Sequence, residues 1–176
     1  RHHRIELSHR LLPITVKLHT RLDGTAVLTR WLEITNSSAR PLALTALAPW
    51  SGRLWEEDAP VVLGCSLIQS DQQTGSFGWR ALEAGLTRIQ NTSEPCYDDP
   101  YFVLRHESKA EYVFGQLAWP SLYRMEFLKK DGLTFRIGPL AVGGALRVLA
   151  PGETIETPAV HLCHARGDFD SVVQEM

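Results

Sequence analysis

The sequence lacks a long apolar run, a signal peptide and an excess of charge of either sign. No hydrophobic stretch is long enough to cross a bilayer, and the first residues do not contain the apolar region of a secretory signal. The 176 residues include 18 basic and 20 acidic side chains, which gives a formal net charge of -2. Because the basic residues are scattered, they form no nucleic-acid-binding stripe. We therefore expect no membrane or nucleic-acid partner.

Cysteine is also scarce. The chain has three cysteines, Cys65, Cys96 and Cys163, and no two of them are close in sequence. An odd number with wide spacing does not indicate a disulfide framework. Buried thiols are typical of a reducing compartment, so we expect a cytoplasmic protein.

Motifs for catalysis or metal binding are missing. There is no Gly-x-Ser-x-Gly elbow, phosphate-binding loop or Cys-x-x-Cys pair. On a strand, His161 and Cys163 would share a face while His164 points away, which leaves two ligands where zinc needs three or four. The acidic clusters at residues 56–58 and 98–99 place neighbouring carboxylates on opposite sides of an extended chain, so neither forms a glycosidase pair. We expect no metal site and no catalytic residue in this chain.

Alternating apolar and polar residues on either side of Asp-Gly turns indicate β-hairpins. Residues 14–18 alternate with the period of a half-buried strand, and Asp23-Gly24 separates them from a second run over residues 26–35. Asp131-Gly132 separates a similar pair of runs. About ten short strands without strand–helix alternation predict one all-β domain, a sandwich or a barrel.

Aromatic residues are concentrated in and beside the segments that lack this alternation. Aromatic faces on loops, flanked by acids and arginine, suit sugar binding, whereas the alternative is ordinary packing of large side chains. We expect Trp55 to offer a stacking face, Arg53 a donor, and Glu56 and Asp98 acceptors for sugar hydroxyls. The complete set of candidate substrate-binding residues is Arg53, Trp55, Glu56, Trp79, Tyr97 and Asp98.

Several of these segments, in this order, resemble the amino-terminal β-supersandwich domain of the α-galactosidases of the melibiase and raffinose type. The similar stretches are residues 27–36, 41–44, 51–56, 91–102, and 149–158 together with 161–167. In the fourth stretch, Ser93-Glu94-Pro95 replaces the family's Ser-Ser-His, and Asp99 replaces the Asn that precedes the proline.

The resemblance implies an antiparallel two-sheet supersandwich of the galactose-mutarotase type over residues 1–166, with residues 167–176 starting a linker helix. In the family this helix leads to a catalytic (β/α)8 barrel that carries the catalytic aspartates. The chain would then be a non-catalytic domain that packs on the barrel of the same polypeptide. It would help to form a homo-oligomer or lend loop residues to an α-galactoside-like oligosaccharide. For the full-length protein, the resemblance implies a retaining glycosidase without a metal ion or an organic cofactor. The start without methionine and the short final helix fit a piece of a longer protein.

Two other classes of function remain open. One is a stand-alone carbohydrate-binding module. The other is a mutarotase-like sugar epimerase, which needs a histidine acid and a glutamate base facing each other across a cleft. His106, His161 and either Glu94 or Glu111 are available for those roles.

Overall fold

The computed structural model describes residues 1–67, 76–93 and 99–174, which form fifteen strands and one short helix. The elements are β1 (His2–Ser8), β2 (Ile14–Leu22), β3 (Val27–Asn36), β4 (Leu42–Leu44), β5 (Trp50–Trp55), β6 (Val61–Leu67), β7 (Ser76–Ala81), β8 (Gly85–Asn91), β9 (Tyr101–His106), β10 (Glu111–Leu117), β11 (Tyr123–Lys129), β12 (Leu133–Pro139), β13 (Arg147–Leu149), β14 (Thr154–Glu156), β15 (Val160–Arg166) and α1 (Phe169–Gln174).

The strands form a large sheet, a small sheet and a two-stranded ribbon. The large sheet has the order β1-β2-β3-β15-β10-β9-β6-β7, with β14 also paired to β3. The small sheet has the order β5-β12-β11-β8, and β13 pairs with β4. Every pairing between the described strands is antiparallel. The predicted antiparallel two-sheet β fold is therefore confirmed.

Both Asp-Gly hairpins are present. The pairing of β2 with β3 extends to Leu22 and Leu28 beside the first turn. The pairing of β11 with β12 extends to Lys129 and Leu133 beside the second turn. In the second hairpin both turn residues have positive φ, 51° at Asp131 and 109° at Gly132. Glycine adopts this conformation without steric cost, and aspartate tolerates it better than most residues.

The hydrophobic core lies between the large and the small sheet. Alternate residues of β9, β10 and β15 face alternate residues of β11 and β12, and the rings of Phe102 and Phe127 meet edge to face at 4.9 Å. Burial of each large apolar side chain contributes about 1.5–3 kcal/mol. The most deeply buried members of this core are Leu63, Phe102, Leu104, Leu117, Tyr123, Met125, Phe127, Leu133, Ile137 and Val160.

The small sheet is too narrow to cover the large one. The pairing of Leu28 with Leu162 places the inner face of β3 beside the core, and β2 and β1 continue that face outward. There Ile5 and Leu7 are 55% and 54% exposed. The edge of the small sheet, formed by β5, therefore lies along the middle of the large sheet.

The outer face of the large sheet carries a separate aromatic cluster. Val103 and Tyr112 are buried there, and Phe169 of α1 packs against them. Trp79 lies on this same face, because it pairs with Gly64 and its ring contacts Phe169 at 5.4 Å. A methyl group at Gly64 would lie 2.9 Å from the Trp79 ring, so only glycine at position 64 leaves room for that ring.

Several irregular segments of the sequence proved to be strands. The described residues form fifteen strands where about ten were expected. Strands β1 and β5 were not predicted, and β6, β7 and β8 fall almost entirely within residues 54–90, where the alternation of apolar and polar residues is weak. The polar composition of residues 69–78 and 91–100 predicts two loops; residues 69–75 and 94–98 lie outside the described residues, and β7 begins at Ser76. Strand β15 ends at Arg166, and the division of the chain into a sandwich and a linker helix at this point stays a prediction.

No helix in the described part of the chain is long and apolar enough to cross a membrane.

Candidate functional site

A cleft of about 300 Å³ lies where β5 meets β3, β10 and β15 of the large sheet. It exists because the small sheet ends at β5 while the large sheet continues. Its wall combines aromatic, basic and acidic side chains with the apolar residues of the core edge. The polar and aromatic residues that line it are Trp50, Arg53, Trp55, Glu111 and His164.

Glu111 is the centre of the hydrogen-bond network in this cleft. It begins β10 and is only 5% exposed. Its Oε2 accepts a hydrogen bond from the indole N–H of Trp55 at 3.2 Å, and its Oε1 accepts one from Nε of Arg166 at 3.0 Å. A second guanidinium nitrogen of Arg166 also donates to Oε1, and Nε2 of His164 lies 3.8 Å from Oε2. The carboxylate is therefore held in one orientation.

These contacts lower the pKa of Glu111. Burial alone would raise it, but the hydrogen bonds from Arg166 and Trp55 and the positive charge of Arg166 outweigh that effect. The carboxylate is consequently ionised at neutral pH and is a weaker base than an unpaired glutamate. This argues against Glu111 as the base of an epimerase, which must take a proton from a sugar hydroxyl.

Trp55 forms part of the wall of the cleft rather than an open surface. Its side chain is buried, with 7% exposed, and its indole N–H is occupied by Glu111. The ring of His106 meets it edge to face at 5.2 Å. Behind it, Nε2 of His106 lies 3.1 Å from a carboxylate oxygen of Glu57, which also pairs with Lys109. The hydrogen bond from Lys109 lowers the pKa of Glu57.

The rim of the cleft is more accessible than its wall. Nη1 of Arg53 donates to Oε2 of Glu56 at 2.7 Å, and the two side chains are 46% and 84% exposed. Nearby, the guanidinium of Arg30 stacks over the ring of Trp50 at 4.1 Å, and burial lowers the pKa of Arg30. One face of Trp50 is thus covered by a cation.

The structure brings together half of the residues selected from the sequence. Arg53 and Trp55 line the cleft, and Glu56 lies at its rim through its pair with Arg53. Trp79 lies on the opposite face of the large sheet. Tyr97 and Asp98 lie outside the described residues, as do Glu94 and Cys96. The sugar-binding roles of all six candidates stay predictions.

Sequence reasoning missed the residues that hold the cleft together. Glu111 was considered only as an unplaced base, and Arg166 was not considered. The two are direct partners across β10 and β15, 55 residues apart in sequence. A glutamate at the head of an otherwise apolar strand was the available signal, since a buried carboxylate needs a partner.

In the histidine-rich stretch of β15, His161 contacts a neighbouring strand of the same sheet. Nδ1 of His161 lies 3.1 Å from the hydroxyl of Thr29 on the neighbouring strand, and burial lowers the pKa of the imidazole. Across residues 1–67, 76–93 and 99–174, no three histidine, cysteine or acidic side chains are grouped so that they could hold a metal ion.

The chain matches known proteins in structure but not in sequence. No family model and no curated protein matches the chain. The galactosidase domain of the alpha-galactosidase-sucrose kinase AgaSK superposes with a TM-score of 0.83 and 17% identity, over 98% of this chain and 25% of that one. The alpha-galactosidase from Lactobacillus brevis gives 0.84 and 14%, over 99% and 24%. GH36 alpha-galactosidase AgaA from Geobacillus stearothermophilus gives 0.82 and 15%, over 99% and 25%.

These similarities define the fold. The chain is similar to a β-supersandwich that makes up about a quarter of each of these α-galactosidases. A weaker match is a TPR-domain containing protein from Parabacteroides distasonis, with a TM-score of 0.52 and 12% identity over 96% of this chain and 33% of that one. A broadly similar fold therefore also occurs in a protein whose name does not refer to an α-galactosidase.

Proposed function

We propose that this chain is a non-catalytic, amino-terminal domain of a glycoside hydrolase similar to the GH36 α-galactosidases. The observation that carries the proposal is the asymmetry of the structural match. The α-galactosidases match 98–99% of this chain, while the chain accounts for only 24–25% of their length. The remaining three quarters would contain the catalytic (β/α)8 barrel, on which this domain packs.

The electrostatics of the described carboxylates support a non-catalytic role. A glycosidase needs two facing carboxyl groups, one of them with a raised pKa so that it can act as an acid. In the described part of the chain every carboxyl group with a resolved shift has a lowered pKa. Glu111, the buried member of this group, is fixed by Arg166 and Trp55. It is placed to hold two strands and the cleft wall together.

For the whole protein we propose an α-galactoside-containing oligosaccharide as the substrate. Variants of the similar AgaA protein have been solved in complex with stachyose and with raffinose. The part of this domain best suited to reach such a substrate is the rim formed by Arg53 and Glu56, because both side chains are accessible. Trp55, anchored by its hydrogen bond to Glu111, would hold in place the segment that carries Arg53 and Glu56. For Trp55 to stack on a sugar, the indole face would have to open beyond its present 7% exposure.

We also propose a cytoplasmic location and a role in oligomer formation. Cys65 and Cys163 are buried thiols, which suits a reducing compartment. The partly uncovered inner face near Ile5 and Leu7 is apolar enough to be part of an interface.

Activity assays test the main proposal. The purified 176-residue protein should release no nitrophenol from an aryl α-galactoside, whereas the product of the complete gene should do so. Hydrolysis by the 176-residue protein at enzyme-like rates would refute a non-catalytic domain. A gene that ends at Met176 would favour the carbohydrate-binding module instead.

The contact with substrate is tested in the complete enzyme. Arg53→Ala should raise KM with little change in kcat if the side chain binds the ground state and the transition state equally. Arg147→Ala, which removes an exposed arginine of a different ion pair, is the matched control. Equal KM values for both variants and the parent enzyme would show that Arg53 does not touch the substrate.

A further inference from the structure

The outer face of the small sheet carries a concentrated positive charge. Arg88 on β8, Arg124 and Glu126 on β11 and Arg136 on β12 all lie on this face, because the residues between them are part of the buried core. Three arginines and one carboxylate give a local charge of +2, whereas the chain as a whole has a net charge of -2. The charge of this face is therefore opposite in sign to that of the protein.

Two chain segments beside the sheet form a cleft on this face. Residues 45–47 and 139–141 fold over the sheet and enclose a volume of about 220 Å³ together with Arg124, Glu126, Arg136 and Gly138. Gly138 lies against the backbone of the first segment, residues 45–47. A Cβ atom at position 138 would overlap the carbonyl oxygen of Leu47. Glycine at this position thus allows this segment to lie against the sheet and to form one wall. We call this feature the arginine cleft.

The guanidinium groups in the arginine cleft are only partly neutralised. Oε1 of Glu126 accepts a hydrogen bond from Nε of Arg88 at 2.9 Å, and Glu126 also lies directly opposite Arg136 on β12, so this single carboxylate is shared between two arginines. Nε of Arg124 donates to the neutral Oε1 of Gln90 at 3.0 Å, so its positive charge is not compensated by that contact. Arg136 is diagonal to Arg124 on the neighbouring strand, a separation of about 7–8 Å between backbones that long side chains easily bridge.

We propose that the arginine cleft binds a phosphate group, either as free inorganic phosphate or as part of a small phosphorylated sugar. Guanidinium groups bind phosphate with paired hydrogen bonds, and Arg124 and Arg136 place two such groups in the lining of the cleft. The residues that complete the lining are Thr45, Ala46, Leu47, Pro139, Leu140 and Ala141. None of them is aromatic, so the cleft offers no stacking surface for a neutral sugar. This site lies on the opposite side of the small sheet from the core, and the proposal does not depend on the proposed glycosidase role.

Calorimetric titration of the purified protein with inorganic phosphate, galactose 1-phosphate and galactose tests the proposal. We expect saturable binding of at least one phosphate compound and none of galactose. Arg136→Gln should weaken binding by about tenfold or more, because it removes charge-assisted hydrogen bonds. Arg124→Gln combined with Arg136→Gln should abolish binding. Arg21→Gln, which makes the same charge change on the large sheet, is the control and should leave the affinity within about twofold.

The arms of the experiment separate the two sources of phosphate. Tighter binding of galactose 1-phosphate than of inorganic phosphate identifies a phosphorylated sugar as the ligand, and equal affinity identifies phosphate itself. Arg136 is exposed, so Arg136→Gln should fold even if the double variant does not. Absence of saturable binding of both compounds up to about 10 mM would overturn the proposal, as would unchanged affinity in Arg136→Gln. Binding of an acidic peptide in place of both phosphate compounds would overturn it in favour of a protein-docking site.

Discussion

Replacing Glu111 with glutamine removes one charge from the most constrained polar contact of the cleft. The carboxylate is 5% exposed and accepts hydrogen bonds from Trp55 and from two nitrogens of Arg166. A hydrogen bond to a charged group contributes about 1.5–3 kcal/mol, but the Arg166 side chain is 74% exposed, so water screens its charge. The glutamine oxygen can still accept the Trp55 N–H. We therefore expect Glu111→Gln to lower the free energy of unfolding by about 1–2 kcal/mol at pH 7.

The pH dependence of this loss distinguishes the ion pair from a packing defect. The pKa of Glu111 is lowered in the folded protein, so its stabilisation is fully present above the unfolded pKa of about 4.3. This stabilisation is lost as the pH falls through the folded pKa, because below that pH the parent protein and Glu111→Gln both carry a neutral side chain at position 111. The difference between the parent protein and Glu111→Gln should therefore shrink steadily below about pH 4.

Urea unfolding, followed by tryptophan fluorescence at pH 7 and at acidic pH, measures this difference. Glu56→Gln is the matched control, because Glu56 also pairs with an arginine but its side chain is 84% exposed. We expect the control to change stability by less than about 0.5 kcal/mol. If Glu111→Gln is no more destabilising than the control, or equally destabilising at both pH values, the central role of the Arg166 pair is wrong.

Three further experiments test other parts of the structure. Gly115→Ala should destabilise the protein by about 1–3 kcal/mol, because the new methyl group would overlap the Phe102 ring in the core. Gly144→Ala has open space around it and should melt at almost the parent temperature; similar melting points for both variants would contradict the core packing. Gly138→Ala should displace the loop over the arginine cleft and weaken phosphate binding, and unchanged affinity would place the binding groups elsewhere. Cys65 and Cys163 should be alkylated only after unfolding, as followed by peptide mass spectrometry, since they are 1% and 2% exposed; rapid labelling of the native protein would show that this part of the core opens.

The parts of the fold that depend on local sequence were predictable. Asp23-Gly24 and Asp131-Gly132 each lie in a short hairpin connection, residues 23–27 and 130–132, and the alternation beside them identifies the buried face. Strands β5 to β8 were harder to recognise because their exposed faces and their glycines interrupt the pattern. Gly64 looks like a strand breaker in the sequence, but it is needed so that Trp79 can lie against the sheet.

The candidate site was predictable in composition but not in arrangement. Arg53, Trp55 and Glu56 are neighbours in sequence, and the structure keeps them together. The contact of Glu111 with Arg166 depends on which strands pair and in which register. Neither follows from residues 55 positions apart in a chain that has many possible strand pairings.

The position of β15 determines when the large sheet can be completed. Strand β15 lies in the middle of the large sheet, between β3 and β10, although it follows every other described strand in sequence. Before it emerges from the ribosome, the meander of β1 to β3 has no link in this sheet to the group formed by β10, β9, β6 and β7. Until residues 160–166 are available, β3 and β10 would each expose an unpaired strand edge, which is the kind of surface that binds chaperones or other nascent chains. We therefore expect the two parts of the large sheet to join only once these residues have left the exit tunnel.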